Sequence, residues 1–283
     1  MTAGGGLSAT SRLRTGQGLE LPRLGFGVFQ VPPGEATRTA VGHALDAGYR
    51  LIDTAAMYAN EEDVGTAVRA SGIPREEIVV TSKLWHTDHG YARALEAGRR
   101  SQERLGLGPI DLYLIHWPRA ESPELRLESW RALERLRADG VVRAIGVSNY
   151  TVRHLEELRA ASDIVPAVDQ LEFHPFVYDP EILRYAAAHG VVLEAYSPLT
   201  RGRRLDDRRI AAIAGAHRRS PAQVLLRWGL QHGLVELPRS VRPERIRENA
   251  AVFDFELTPA DMGSLDALAG GGRVTALDPA AIP

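Results

Sequence analysis

The sequence predicts a single (β/α)8 TIM barrel, one domain over residues 1–283 with its site at the C-terminal rim of the strands. Three observations predict it. Eight short β-rich runs alternate with stretches of helical spacing. The runs are mostly apolar, as parallel strands covered on both faces are. The length, 283 residues, is ordinary for one such barrel, whose typical size is about 250. Alternation alone favours a parallel sheet, open or closed; eight units in a chain of this length favour closure.

The β-rich runs are Leu24–Gly27, Arg50–Asp53, Ile78–Ser82, Asp111–His116, Arg143–Ser148, Ala167–Gln170, Val191–Tyr196 and Leu234–Leu237. Between them, helical spacing predicts helices over Glu35–Asp46, Glu62–Arg69, Tyr91–Leu105, Pro123–Ala138, Val152–Arg159 and Pro180–His189, and one longer helical segment from Asp206 to Gln231. The N-terminal stretch holds a turn signal at Thr15–Gly18 and no predicted strand. Residues 1–8 and the Gly-rich, Pro-ended segment 270–283 are expected to be flexible loops.

Composition removes several function classes. A formal net charge of −2 gives no broad attraction to nucleic acid or an anionic membrane. No apolar run approaches the roughly 20 residues that span a bilayer, and the N-terminus lacks an export pattern, so a cytoplasmic protein without a membrane partner is expected. With no Cys there is no disulfide, thiolate nucleophile or cysteine-held metal. His86 and His89 lack a carboxylate cluster and read as loop histidines, so no metal is expected. No long heptad repeat is present, and a monomer is the plain expectation. Of the 34 basic residues, Lys83 is the only lysine, leaving 33 arginines. An ammonium can lose or share a proton where a guanidinium cannot, which singles Lys83 out; the alternative is chance survival under biased codon usage.

Strand after strand ends in polar side chains: Asp53, Lys83, His116, Ser148-Asn149, Gln170, Tyr196-Ser197 and Arg239-Ser240. In a parallel barrel these ends converge on one rim, although any strand must stop being apolar where it reaches solvent.

These segments carry a resemblance. Gly48–Gly65 (GYRLIDTAAMYANEEDVG) resembles the first signature of the aldo-keto reductases. VTSKLW, DLYLIHWP, AIGVSNY, AVDQLEFHP, AYSPL and LPRSVRPERIREN, the last at Leu237–Asn249, follow in the family's order, and FDFELTP looks like bacterial members such as the 2,5-diketo-gluconate reductases. The resemblance implies reduction of an aldehyde or ketone, possible substrates including keto-sugar acids and α-dicarbonyls, by a catalytic tetrad of Asp53, Tyr58, Lys83 and His116. The chemistry is coherent. Hydride addition to a carbonyl leaves an alkoxide that needs a proton donor, which Tyr58 supplies. An ammonium beside the phenol is expected to lower its pKa, and Asp53 to hold Lys83 charged. His116 would donate a hydrogen bond to the carbonyl oxygen. Singly, Asp53 could cap a helix, Tyr58 could be a loop aromatic and His116 a core histidine.

The resemblance further implies that Ser148, Asn149 and Gln170 bind the nicotinamide carboxamide, that Tyr196 stacks on its ring, and that Ser197 and Leu199 line the pyrophosphate path. Arg239, Ser240, Val241, Arg245, Glu248 and Asn249 would surround an adenosine 2′-phosphate; Arg245, Glu248 and Asn249 share a helix face at i, i+3 and i+4. This favours NADPH, with NADH possible because Arg239 replaces the family's usual Lys. Asp169 replaces the usual Asn, and an ionised carboxylate cannot donate an amide's hydrogen bonds. Val28, Phe29, Trp85, His116, Trp117 and Phe176 are expected to frame the substrate, unless the aromatics are simple core packing. Two other readings remain: a non-catalytic nicotinamide-binding sensor, and a lyase using Lys83 as a Schiff-base nucleophile.

Overall fold

The computed structural model describes residues 7–282; the expected loop residues 1–6, and residue 283, lie outside the described residues. Eight strands form one parallel sheet in chain order: β3 (Phe26–Gly27), β4 (Leu51–Asp53), β5 (Val79–Leu84), β6 (Ile110–Ile115), β7 (Val142–Ser148), β8 (Val168–Glu172), β9 (Val192–Tyr196) and β10 (Val235–Leu237). The sheet curls until its ends meet. Leu24 bridges Glu236 in parallel, and Gly25 N donates to Glu236 O at 2.8 Å and Gly27 N to Pro238 O at 3.1 Å, closing the seam. Each predicted β-rich run contributes one barrel strand.

Helices α1 (Glu35–Asp46), α2 (Glu61–Ala70), α3 (Tyr91–Leu105), α4 (Pro123–Ala138), α5 (Val152–Ala161) and α6 (Pro180–His189) fall where helical spacing predicts them. The long segment after Asp206 is two helices, α7 (Arg208–His217) and α8 (Pro221–Gln231). Arg218 turns left-handed at φ 54°, and Ser220, ahead of Pro221 at the first helical position, forms a capping box with Gln223; together these stop one helix and start the next. Helices α9 (Pro243–Ala250) and α10 (Pro259–Asp266) complete the chain's outer layer. None of the described helices is long and apolar enough to cross a membrane.

The N-terminal stretch is a hairpin rather than a plain loop: β1 (Arg12–Arg14) pairs antiparallel with β2 (Glu20–Pro22). Its Leu21 joins the core inside the barrel with Leu51, Leu112, Ala144, Val168 and Val235. Gln17 at the turn donates to Ile145 O (3.0 Å) and Val165 O (2.8 Å) and accepts from Ile145 N (3.0 Å). The hairpin thereby seals the end of the barrel opposite the polar strand ends. A larger core lies between sheet and helices, and Gly65 permits the close approach of α2 to α3, since a Cβ there would stand 1.8 Å from Leu105 O.

The segment after Ala269 has no strand or α-helix, only one short 3-10 turn at Pro279–Ala281 among the described residues, and is tied to the barrel. Glu172 at the end of β8 accepts hydrogen bonds from Val274 N (2.5 Å), Thr275 N (3.2 Å) and the Thr275 hydroxyl. Arg204 Nη2 donates to Gly271 O at 2.8 Å, and Ile282 O meets Arg153 and His154.

Candidate active site

A cavity of about 730 Å³ opens at the C-terminal ends of the strands. Asp53 (β4), Tyr58 (the short turn after β4), His116 and Trp117 (after β6) line it from one side of the rim. Arg239, Ser240, Val241, Arg245, Glu248 and Asn249 line it from the segment after β10 and from α9. Ser148, Asn149, Gln170, Tyr196, Ser197, Leu199 and Phe29 lie along it. Most expected site residues thus share one cavity.

Lys83 lies beneath it, fully buried. Its three protons are all engaged, by Asp53 Oδ1 (2.6 Å), Asp53 Oδ2 (2.7 Å) and Thr54 O (3.0 Å), and its Nζ sits 5.2 Å from the centre of the Tyr58 ring. The expectation of a lowered phenol pKa is not met overall: whatever the ammonium contributes is outweighed. Burial pushes the Tyr58 phenol well above its usual value, the Asp53 charge pushes it further, and Arg201 pulls it back only in part. The phenol is therefore held as the neutral, protonated group.

His116 is buried between the rings of Trp85 (5.1 Å) and Tyr58 (5.6 Å), both edge-on. Burial, then the Lys83 and His86 charges, push its pKa well below 6.5, which keeps it a neutral imidazole with one N–H to donate. Asn149 is fixed from both sides: its Nδ2 donates to His116 O (2.9 Å), and Tyr196 Oη donates to its Oδ1 (2.7 Å). Ser148 Oγ donates to Gln170 O at 2.7 Å.

Three expected substrate-framing residues are placed differently. Val28 is fully buried and its carbonyl accepts from Asn60 Nδ2 at 3.2 Å. Phe176 is covered by the C-terminal segment, where a Cβ on Gly271 would stand 2.6 Å from its ring, and by the Arg204 guanidinium. Trp85 backs His116 rather than lining the cavity. Asp169 also points away: on β8 it alternates with Gln170, and its Oδ1 accepts from Tyr150 N (3.4 Å) behind the sheet. Burial raises its carboxyl pKa well above the usual range, which favours the uncharged acid, and its Oδ2 meets no hydrogen-bond partner among the described residues.

Sequence reasoning missed Gln30, Met57, Arg201, Arg203 and Thr275 on the cavity wall, and Glu194 below it. The run RGRR after Ser197–Thr200 signals the two arginines, and the period of two from Tyr196 signals Glu194. Gln30, Asn149, Ser197 and Arg201 hold left-handed backbone (φ 51–64°), so strain is concentrated around the cavity. Among the described residues no group of three or more His, Asp or Glu side chains could hold a metal; His89 is buried in its loop, its pKa pushed down to about 4 chiefly by burial.

The family model for the aldo/keto reductase family matches residues 23–269. The chain belongs to the aldo/keto reductase family. It is 49% identical over 257 residues to the glyoxal reductase of Bacillus subtilis (strain 168), covering 91% of this chain and 92% of that one. To the morphine 6-dehydrogenase of Pseudomonas putida it is 46% identical over 270 residues, 91% and 90% of the two chains. The structure of a Bombyx mori aldo-keto reductase in complex with NADP superposes with a TM-score of 0.88 at 33% identity, covering 96% of each chain. As an aldo/keto reductase the protein is an oxidoreductase acting on carbonyl or alcohol groups with a nicotinamide cofactor.

Proposed function

We propose that this aldo/keto reductase reduces an aldehyde or ketone to the alcohol using NADPH, with Tyr58 as proton donor. The observation that carries the proposal is that one cavity is lined both by a neutral, partly buried phenol and a buried neutral imidazole and by a guanidinium-rich segment. Its volume of about 730 Å³ lies within the 300–1,000 Å³ of ordinary cofactor and ligand pockets. The residues fit a nicotinamide. Both N–H groups of the Gln170 amide are spent on Asp53 and Glu194, which leaves its carbonyl oxygen to accept from a carboxamide. When bound, the reduced nicotinamide supplies the hydride.

Tyr58 gives its proton to the oxygen as negative charge develops there, and regains one from solvent after product leaves. Lys83, held by Asp53 and facing the ring, stabilises the phenolate left behind. His116, neutral, orients the carbonyl with one N–H. Phe29, Met57 and Trp117 supply the apolar wall for a small carbonyl substrate. A Schiff-base lyase is disfavoured because Lys83 is fully buried with every proton bonded.

Arg245 is exposed on the cavity rim and makes no hydrogen bond or ion pair with other described residues. Arg239 already donates to Gln30 O at 2.7 Å. We therefore assign the 2′-phosphate chiefly to Arg245. Losing one charge-assisted bond at an exposed position, about 1.4–2 kcal/mol, predicts that Arg245→Ala weakens NADPH binding about 10- to 30-fold and NADH less than about twofold. Following reduced-nicotinamide absorbance with both cofactors against a carbonyl panel, for wild type and variant, tests the whole reading. Equal losses for both cofactors would assign Arg245 to packing, and no oxidation of either cofactor by the wild type would favour the sensor.

A further inference from the structure

Beneath the cavity a second carboxyl group accompanies Asp53. Glu194 on β9 is 1% exposed, and its Oε2 accepts from Gln170 Nε2 at 2.9 Å, while the same nitrogen donates to Asp53 Oδ2 at 2.8 Å. One amide therefore bridges two acids. Turned the other way, its carbonyl oxygen would face two carboxyl groups, so the pair of acceptors dictates the orientation. Among the described residues Lys83 is the one cation acting on Glu194, and it is bonded to Asp53, not to Glu194. Two ionised acids against one ammonium would leave a buried negative charge without a partner, which is costly.

We propose that Glu194, as the neutral acid, is a positioning residue for carbonyl reduction: it fixes Gln170 with its carbonyl toward the nicotinamide site and keeps the buried charge beneath Tyr58 at one carboxylate per ammonium. The inference rests on the proposed reductase reading. The groups that face Glu194 are Asp53 from β4, Lys83 from β5 and Gln170 from β8; its register neighbour on β10 is Val235. Burial and the Asp53 charge push the Glu194 pKa up to about 7, against the Gln170 hydrogen bond and Lys83. Above that pH the extra negative charge makes Tyr58 a weaker acid, and the proton-donating step slows.

The test uses the full-length protein and two variants, Glu194→Gln and Glu194→Met. NADPH affinity is measured by titration, and the rate of NADPH oxidation by an aldehyde in a single turnover, from pH 6 to 9. E194Q, permanently neutral and still an acceptor for Gln170, should bind NADPH like wild type, match its rate at pH 6 and lack its severalfold fall toward pH 9. E194M removes the acceptor, and a lost hydrogen bond of about 1 kcal/mol predicts roughly fivefold weaker NADPH binding at every pH. The thermal midpoint gives a readout independent of turnover. An acid with a raised folded pKa stabilises the fold below its unfolded pKa and loses that contribution as pH rises through the folded value, so wild type should lose more stability than E194Q between pH 6 and 9. Wild-type pH profiles in E194Q, or wild-type NADPH affinity in E194M, would overturn the proposal. Should E194M fail to fold, E194Q alone decides it. A wild type that oxidises no NADPH contradicts the reductase reading instead, and the binding and melting arms still decide the role of Glu194.

Discussion

Replacing Tyr58 with phenylalanine is expected to slow carbonyl reduction by about 10²–10⁴-fold, the usual worth of a positioned general acid, while NADPH affinity stays within about twofold. The ring and its packing against Phe29 (5.0 Å) and His116 (5.6 Å) are retained, so only the hydroxyl is lost. That hydroxyl is held protonated by burial and by Asp53, which is the state a proton donor needs. The effect should appear in the single-turnover rate with little change in substrate affinity, because the bond is made to the developing alkoxide rather than to the ground-state carbonyl. A variant as fast as wild type would place the donor elsewhere, with His116 the next group in the cavity.

Lys83→Met should damage both activity and stability. Asp53 is 5% exposed and would lose its only ion-pair partner among the described residues while still lying beside Glu194. Breaking a buried pair from one side costs about 3–5 kcal/mol, which at about 2–4 °C per kcal/mol for a chain of this size lowers the thermal midpoint by roughly 6–20 °C. Adding Asp53→Asn should recover part of the stability, because the stranded charge is gone, but none of the rate, because the phenolate has no ammonium. Calorimetry of the single and double variants, with single-turnover rates alongside, separates the two roles. If the double variant regains activity, the pair is structural only.

The barrel was readable in the sequence because its strands are buried on both faces and so appear as apolar runs, all but the first barrel strand followed closely by or ending in a polar residue at the rim. The hairpin β1–β2 was not, because three-residue strands such as Arg12–Arg14 show too few residues for a period. The break between α7 and α8 lies in the left-handed turn at Arg218, whose side chain fits a helical pattern as well as any other. At the site, the solitary lysine among 33 arginines singled out Lys83, and the family resemblance named it with Asp53 in one tetrad; the two form an ion pair. What did not follow was where the ammonium's three protons go: Asp53 and Thr54 take them all, which is a fact of packing. The same limit hid Thr275, and it hid the partners of Glu194, although strand alternation from Tyr196 marks Glu194 itself as facing the barrel interior. Gln170 is brought beside Glu194 by strand register and Glu172 beside Thr275 by the chain's last segment, and no local spacing encodes those pairings. Val28, Trp85 and Phe176 failed as cavity residues for the converse reason, since an apolar side chain near a rim can equally face a helix or a loop.

The central claim is most directly tested by isotope transfer. An aldehyde is incubated with the protein and NADPH carrying deuterium at either the pro-R or the pro-S position of the dihydronicotinamide, and the alcohol is examined by NMR. Deuterium on the former carbonyl carbon from one of the two labelled cofactors and not the other, with the hydroxyl proton drawn from solvent, is the predicted result. NADPH that binds tightly yet stays unoxidised, or an alcohol whose carbon-bound hydrogen comes from water, would contradict it.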